Sequence, residues 1–180
     1  MIANNDWLIS KVSICINRCT AHNSSRIREK DLIMSIPVAT TNIESCVIPA
    51  SGDKVWGLIR SGDFASWWGI CSSSACDGSP MALGTTHTLT FADGTVWTIS
   101  ITEISDIKKS LSFELISSEP ASIVSAANHS VSVQKVTSDD TTFLTFESQF
   151  SAEESTAEAV IDSKYKKLEL FTDLAKILSE

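Results

Sequence analysis

Between Gly69 and Phe150 the sequence alternates polar and apolar residues in one short segment after another, for about eighty residues. A period of two is typical of β-strands, in which successive side chains point to opposite faces. Each segment has one apolar and one polar face, which indicates an antiparallel sheet covered on one side only. Asp93-Gly94 separates two segments and predicts a tight hairpin, since glycine readily adopts the positive φ that such turns need. The alternation predicts these inward-facing residues: His87, Leu89, Trp97, Ile99, Glu103, Phe113, Val133, Lys135 and Phe146.

The segment from Ser151 to Glu180 has the spacing of one long amphipathic helix. Ser151 followed by Glu153 is typical of a helix start, with an acid near the positive end of the helix dipole. Apolar residues then fall within an arc of roughly 100°, which predicts that the helix covers the apolar face of the sheet. The predicted arc contains Ala157, Val160, Ile161, Lys164, Leu168, Phe171, Ala175 and Leu178.

Ahead of this region, "TTNIESCVIPA" predicts an opening strand that stops at Pro49, and "KVWGLIRSGDFASWW" predicts two short helices. Ser51 and Asp53 offer acceptors for free amides at the first helix start. Because consecutive helical residues point about 100° apart, Trp67 and Trp68 are not expected to be buried in the same way. The fold class predicted is α+β: a strand, two short helices, six strands in sequence and a long helix.

Composition limits the possible functions. The formal net charge of −8 argues against nucleic-acid binding, which needs concentrated Lys and Arg. Five cysteines, an odd number, without a clear secretory signal indicate reduced thiols and a cytoplasmic protein.

Residues 1–33 hold five basic and three acidic side chains, so they are predicted to be a poorly ordered extension of a domain over 34–180, with a mitochondrial leader left open. Their apolar stretch is too short for an integral membrane segment.

Two motifs together resemble the START-like (SRPBCC) superfamily, which includes birch-pollen-allergen-type proteins and the polyketide cyclase/dehydrase family. They are "IPASGDKVWGLI" followed by "DFASWW", and the hairpin "LGTTHTLTFADGTVW". The resemblance covers about Ile43 to Leu178, and it implies a helix-grip fold: a curved seven-stranded antiparallel sheet around the long helix, with an apolar cavity between them. His87 stands where many members have Arg, and Trp97-Thr98 falls near a frequent Glu, so a function that needs that pair is in doubt.

The cavity that the resemblance implies would be lined by the inward-facing strand residues above together with Trp68, Val160, Lys164, Leu168 and Phe171. Lys164 lies inside the predicted apolar arc, where its ammonium could neutralise a ligand carboxylate or phosphate, or could reach water past its aliphatic stem. His87, Glu103 and Lys135 could serve as acid/base groups or polar anchors, or could sit at strand ends in water. His129 begins its strand and is expected at the surface.

Three functions remain open at this point. The first is a carrier or sensor of a small hydrophobic ligand such as a lipid, sterol or polyketide-like compound. The second is a cyclase or dehydratase in the same cavity, which needs His87, Glu103 or Lys164 to converge on one point. The third is a partner-binding module like the superfamily's co-chaperone branch, favoured if the tryptophans of "DFASWW" are exposed. No Gly-x-Ser-x-Gly elbow or phosphate loop is present, and no catalytic residue, cofactor or metal is predicted.

Overall fold

A curved sheet of seven antiparallel strands packs against one long carboxyl-terminal helix, which confirms the predicted α+β class. The computed structural model describes residues 39–179, so the prediction for residues 1–33 lies outside the described residues. The sheet order is β1-β7-β6-β5-β4-β3-β2, so six strands follow one another as neighbours and β1 closes beside β7. The strands are β1 (Thr41–Ile48), β2 (Cys71–Asp77), β3 (Thr86–Phe91), β4 (Val96–Ser105), β5 (Ser110–Glu119), β6 (Ala127–Lys135) and β7 (Thr142–Phe150).

The two predicted short helices are a helix α1 (Gly52–Arg60) and a single 3-10 turn (Phe64–Ser66). Ser51 occupies the N-cap position of α1, but its side chain makes no capping hydrogen bond. In the 3-10 turn, the Asp63 carboxylate accepts a hydrogen bond from the Ala65 amide. Because the turn ends at Ser66, the two tryptophans that follow are not helical, and the 100° separation between consecutive helical side chains does not apply to them. Trp67 and Trp68 are both buried, at 0% and 2% exposure, so the prediction that they differ is wrong.

A β-bulge moves Glu103 off the inner face of the sheet. The pairing of β4 with β5 shifts between Ile101 and Glu103, so one extra residue enters the strand and the alternation changes phase. Ile101 is buried, Glu103 is exposed, and Ile104 packs against the core in its place. The prediction that Glu103 faces inward is therefore wrong, because simple alternation holds only for an unbroken ladder.

The long helix α2 (Thr156–Ser179) starts five residues later than predicted and buries a different stripe. Its buried residues lie about one position earlier than the predicted arc, a rotation of about 100°. As a result Ala157, Ile161, Lys164 and Leu168 are exposed, and Val160 is only half-buried. The helix carries apolar residues on two sides, so its pattern alone does not determine which side faces the sheet. The polar partners that the sheet offers beneath α2 decide the rotation. The stripe that is buried consists of Thr156, Ala159, Lys167, Leu170, Phe171 and Leu174.

The space between sheet and helix contains one large apolar cluster and one small one. The large cluster holds most of the buried aromatic and aliphatic side chains, including all three tryptophans of the sequence "KVWGLIRSGDFASWW". The small cluster consists of Val124, Ala127 and Ala159, with Leu115 and Phe150 packed against it. No helix within residues 39–179 is both long enough and apolar enough to cross a membrane.

Candidate functional site

Large aromatic side chains fill the space next to the two short helices, where the helix-grip arrangement leaves room for a ligand or for bulky residues. The Phe64 ring lies 5.3 Å from that of Trp67 and 5.7 Å from that of Phe113. Trp67 stacks on Trp68 at 6.2 Å, and Trp68 meets Phe146 edge-on at 6.0 Å. We call this region the packed end; its aromatic pairs have the tilted and edge-on geometries that such rings favour.

A pocket of about 280 Å³ lies at the other end of the same space, between the sheet and the first turns of α2. The connection between β5 and β6 forms one wall, and the small Val124, Ala127 and Ala159 cluster forms part of the lining. Two of these side chains are single methyl groups, which leaves volume that larger residues would occupy. We call this region the pocket end. Its lining also includes Trp97, Leu115, Pro120, Ile123, His129, Phe150, Glu158, Asp162, Ser163 and Lys166.

A groove of about 450 Å³ lies elsewhere, on the outward side of α2 beside Ile70. Its lining includes Tyr165 and Leu168, which are exposed at 64% and 43%. The groove is more open than the pocket, and none of the buried polar atoms described below borders it. We therefore take the pocket as the candidate site.

A row of polar side chains crosses the inner face of the sheet beside the pocket. The strand register places Asn42 opposite Ser148, and Ser148 opposite His129. The His129 Nδ1 lies 2.8 Å from the Ser148 hydroxyl, and the Ser163 hydroxyl of α2 donates to Ser148 at 3.1 Å. These hydrogen bonds tie strands β6 and β7 to the helix at the edge of the pocket.

His129 is buried and uncharged. Only 5% of the residue is exposed, and its ring stacks on Trp97 at 5.7 Å and lies 5.2 Å from the ring of Phe113. Burial, together with the nearby ammonium groups of Lys167 and Lys166, lowers the pKa of His129 to about 3. Its Nε2 has no hydrogen-bond partner within residues 39–179.

Lys167 is the buried ammonium of α2. Only 1% of the residue is exposed, and Nζ donates to the Asn42 backbone carbonyl at 2.7 Å and to Asn42 Oδ1 at 2.6 Å. Burial lowers its pKa to about 8, against the opposing effect of the Glu44 and Glu147 carboxylates. Lys167 thus anchors the helix to β1.

Three charged side chains and one tryptophan line the outer part of the pocket. Lys166 pairs with Asp162 at 2.9 Å, and its Nζ lies 5.1 Å from the centre of the Trp97 ring, a cation–π distance. Glu158 is exposed and forms no ion pair with any other described residue. The charged lining therefore carries a formal −1 when Glu158 and Asp162 are weighed against Lys166.

Of the predicted lining residues, the pocket contains Trp97. Leu89, Ile99, Phe113, Val133, Phe146, Phe171 and Trp68 are buried in the large core cluster instead. The predicted charged and polar candidates do not share one cavity: His87 is buried, with Nε2 donating to the Pro80 carbonyl at 2.6 Å, while Glu103 is exposed. Lys164 is 54% exposed at its side chain, 3.9 Å from Glu44, and Lys135 is exposed in an ion pair with Asp140 at 2.6 Å.

Sequence reasoning missed His129, which it expected at the surface, and Lys167. The alternation of β6 contained the signal for His129, because it shares a face with Val131 and Val133. Lys167 had no comparable signal, since a lysine one turn from another lysine on an amphipathic helix is ordinarily assigned to solvent. The arrangement that results is an apolar pocket with one buried neutral donor or acceptor, His129, at its inner edge.

Solved structures of low sequence identity share this architecture. A protein from Nitrosospira multiformis is 22% identical, with a TM-score of 0.67, over 77% of this chain and 95% of that one. Protein XoxI from Bacillus cereus is 18% identical, with a TM-score of 0.64, over 78% and 93%. Ara h 8.0201 is 16% identical, with a TM-score of 0.63, over 78% and 98%. No family model and no curated protein matches the chain.

The chain shares its helix-grip fold with these solved structures. At these identities the likeness establishes the fold, including the order of the strands and the position of the long helix. In this helix-grip fold the pocket lies between the sheet and α2, where the resemblance implied a cavity. The pocket occupies only the pocket end of that space, because aromatic residues fill the packed end.

Proposed function

We propose that the protein binds a small, largely apolar molecule in the pocket end. The observation that supports this most strongly is a cleft between sheet and helix that is lined by small apolar side chains and borders one buried imidazole. Binding sites for small molecules are typically concave, mostly apolar and supplied with a few well-placed polar groups. The helix-grip fold adds support, since it is compatible with hydrophobic-ligand binding.

The volume favours a compact ligand. About 280 Å³ corresponds to roughly nine water molecules at about 30 Å³ each. It lies just below the range of roughly 300–1,000 Å³ of common ligand pockets. We therefore propose a molecule of the size of a substituted single ring, and not a sterol or a long-chain lipid.

The two other functions receive less support. The acid/base reading needed His87, Glu103 or Lys164 at one point, whereas the first is buried and the other two are exposed. The partner-binding reading needed exposed tryptophans, whereas Trp67 and Trp68 are buried.

The test is a binding titration of the full chain with α-methylstyrene, a compact apolar probe, followed by amide chemical shifts in NMR. Ala159→Leu places a larger side chain in the pocket, and Ala157→Leu makes the same change on the exposed side of the same helix. We expect saturable shifts around Ala127 and Ala159 in the wild type and in Ala157→Leu, and none in Ala159→Leu. Unchanged binding in Ala159→Leu, or no binding to the wild type, would contradict the proposal.

A further inference from the structure

One residue of the pocket lining has a buried polar atom without a partner. His129 is 95% buried, it lines the pocket, and its Nε2 makes no hydrogen bond within the described part of the chain. A buried imidazole nitrogen without a partner is costly, and such groups are uncommon in folded proteins. The aromatic rings of Trp97, Phe113 and Phe150 surround His129 and offer no strong acceptor.

Three other buried side-chain nitrogens lack hydrogen-bond partners within residues 39–179: Trp67 Nε1, Trp68 Nε1 and His87 Nδ1. None of these three residues lines the pocket or the groove beside Ile70. Of the four residues, His129 is the one that lines the pocket.

The hydrogen bond behind His129 bears on which nitrogen carries the proton. The Ser148 hydroxyl lies 2.8 Å from His129 Nδ1, and a hydroxyl can donate to a ring nitrogen or accept from it. When Ser148 donates to Nδ1, the neutral imidazole carries its own proton on Nε2. This tautomer makes the nitrogen without a partner an N–H donor, and the imidazole nitrogen shifts described below test it.

We propose that the ligand of the pocket is an uncharged molecule with an acceptor oxygen, such as a ring ketone or aldehyde, that accepts a hydrogen bond from His129 Nε2. This inference rests on the proposed function, because it assigns the chemistry of the ligand in the same pocket. The remaining surface of the ligand meets apolar side chains such as Val124, Leu115 and Phe150. A ligand with one acceptor oxygen on an otherwise apolar ring matches both the His129 donor and the apolar side chains of the lining.

The charges of the lining argue against an anionic ligand. Lys166 is paired with Asp162, and Glu158 adds a second carboxylate to the lining. A ligand carboxylate would lose its hydration, and Lys166, the ammonium group of the lining, is already paired with Asp162. His129 supplies no charge either, because burial holds its pKa at about 3. A neutral acceptor oxygen on the ligand needs only a hydrogen bond from His129 Nε2–H.

Three probes of nearly the same shape separate these possibilities: acetophenone with a neutral acceptor, α-methylstyrene with none, and benzoate with a charge. Titrations of the full-length wild type by NMR should give the tightest binding for acetophenone, by roughly three- to tenfold over α-methylstyrene, the range for one net hydrogen bond. Benzoate should bind more weakly than either. Equal affinities for acetophenone and α-methylstyrene, or a preference for benzoate, would overturn the inference and leave the proposed function intact. Failure of all three to bind would overturn both.

Two variants and one spectrum assign the preference to His129. Within His129→Phe, acetophenone should no longer bind more tightly than α-methylstyrene, whatever the absolute affinities of the two probes. Ser148→Ala removes the donor to Nδ1 and should reduce the preference, since the imidazole is then free to move its proton. In the wild type, the imidazole nitrogen shifts should show Nε2 protonated and responsive to acetophenone. A preference that survives in His129→Phe, or a proton on Nδ1, would overturn the inference.

Discussion

The packed end and the pocket end lie between the same sheet and the same helix, yet they are filled by side chains of very different size. At the packed end, Phe64, Trp67 and Trp68 occupy the space, and Leu170 and Leu174 of α2 are fully buried. At the pocket end, Ala127 and Ala159 present single methyl groups and leave about 280 Å³. A helix laid across a curved sheet does not by itself determine the size of a cavity; side-chain volume at a few positions does.

The polar groups differ between the ends as well. Beside the pocket, a connected row of hydrogen bonds runs from Ser163 through Ser148 to His129, and Lys167 is held by Asn42 nearby. In the packed end the indole nitrogens of Trp67 and Trp68 lie among rings. Buried networks of this kind fix the positions of their members when each bond is made. We infer that the packed end provides stability and that the pocket end provides a positioned donor.

Truncation of a buried side chain should give the largest difference between the two ends in the free energy of unfolding. Trp67→Ala should lower the free energy of unfolding by about 3–5 kcal/mol, because it leaves a cavity in a region without spare volume. Val124→Ala at the pocket end should cost less than about 1.5 kcal/mol, since its neighbourhood already contains space. Urea unfolding curves measure both values. Similar losses for the two variants would mean that the ends are packed alike.

Enlargement of a side chain should also cost more stability at the packed end than at the pocket end, even when less volume is added at the packed end. Val55→Leu adds only a methylene at a fully buried position of α1, and it should cost about 1–3 kcal/mol through overpacking. Ala159→Leu adds a whole isopropyl group, but the pocket can take it, so we expect a cost below about 1 kcal/mol. The same unfolding experiments give both numbers. A larger loss in free energy of unfolding for Ala159→Leu than for Val55→Leu would show that the pocket has no room for the added side chain.

His129 should make the stability of the protein sensitive to acid. Its folded pKa of about 3 lies below the ordinary value of 6.5, so below pH 6.5 the unfolded chain takes up a proton that the folded chain does not. The contribution of His129 is therefore complete above pH 6.5 and falls as the pH drops toward 3, by up to about 1.4 kcal/mol per pH unit. Unfolding of wild type and His129→Phe between pH 7 and 5 should show the difference between them change in this direction. A constant difference would mean that His129 is not buried in its neutral form.

Lys164 should contribute least. It is more than half exposed and lies 3.9 Å from Glu44, so Lys164→Met should change the free energy of unfolding by less than about 0.5 kcal/mol. It should also leave the affinity for α-methylstyrene unchanged, because Lys164 does not line the pocket. Loss of binding in this variant would mean that Lys164 lines the binding site, and it would contradict the orientation of α2.

The fold could be predicted from the sequence because alternation and helical spacing are local signals. The strands from β2 to β7 and the long helix were identified in order from those periods alone. The strand bulge beside Glu103 and the rotation of α2 could not be found in this way, since each depends on which partner lies opposite. Lys164 and Lys167 are three residues apart on one helix, and only the sheet beneath distinguishes them, because Asn42 accepts two hydrogen bonds from Lys167.

The pocket itself depends on small residues, which carry little signal in a sequence. Ala127, Ala159 and Ser163 are unremarkable in a strand or a helix, and their effect appears only when they face one another. The aromatic cluster around Trp67 was easy to notice, and it led the expected cavity lining toward residues that instead fill the core. His129 differs from these residues, because the alternation of β6 puts it on the same face as Val131 and Val133, although it was expected at the surface.

The most direct test of the account is the position of a bound probe. Intermolecular nuclear Overhauser effects between α-methylstyrene and methyl-labelled protein should arise at Val124, Ala127 and Ala159, and should be absent at Val55 and Ile59 of α1, which are buried in the large core cluster. Contacts at Val55 or Ile59 without contacts at Ala127 and Ala159 would contradict the account, because the ligand would then enter the region that the aromatic side chains fill.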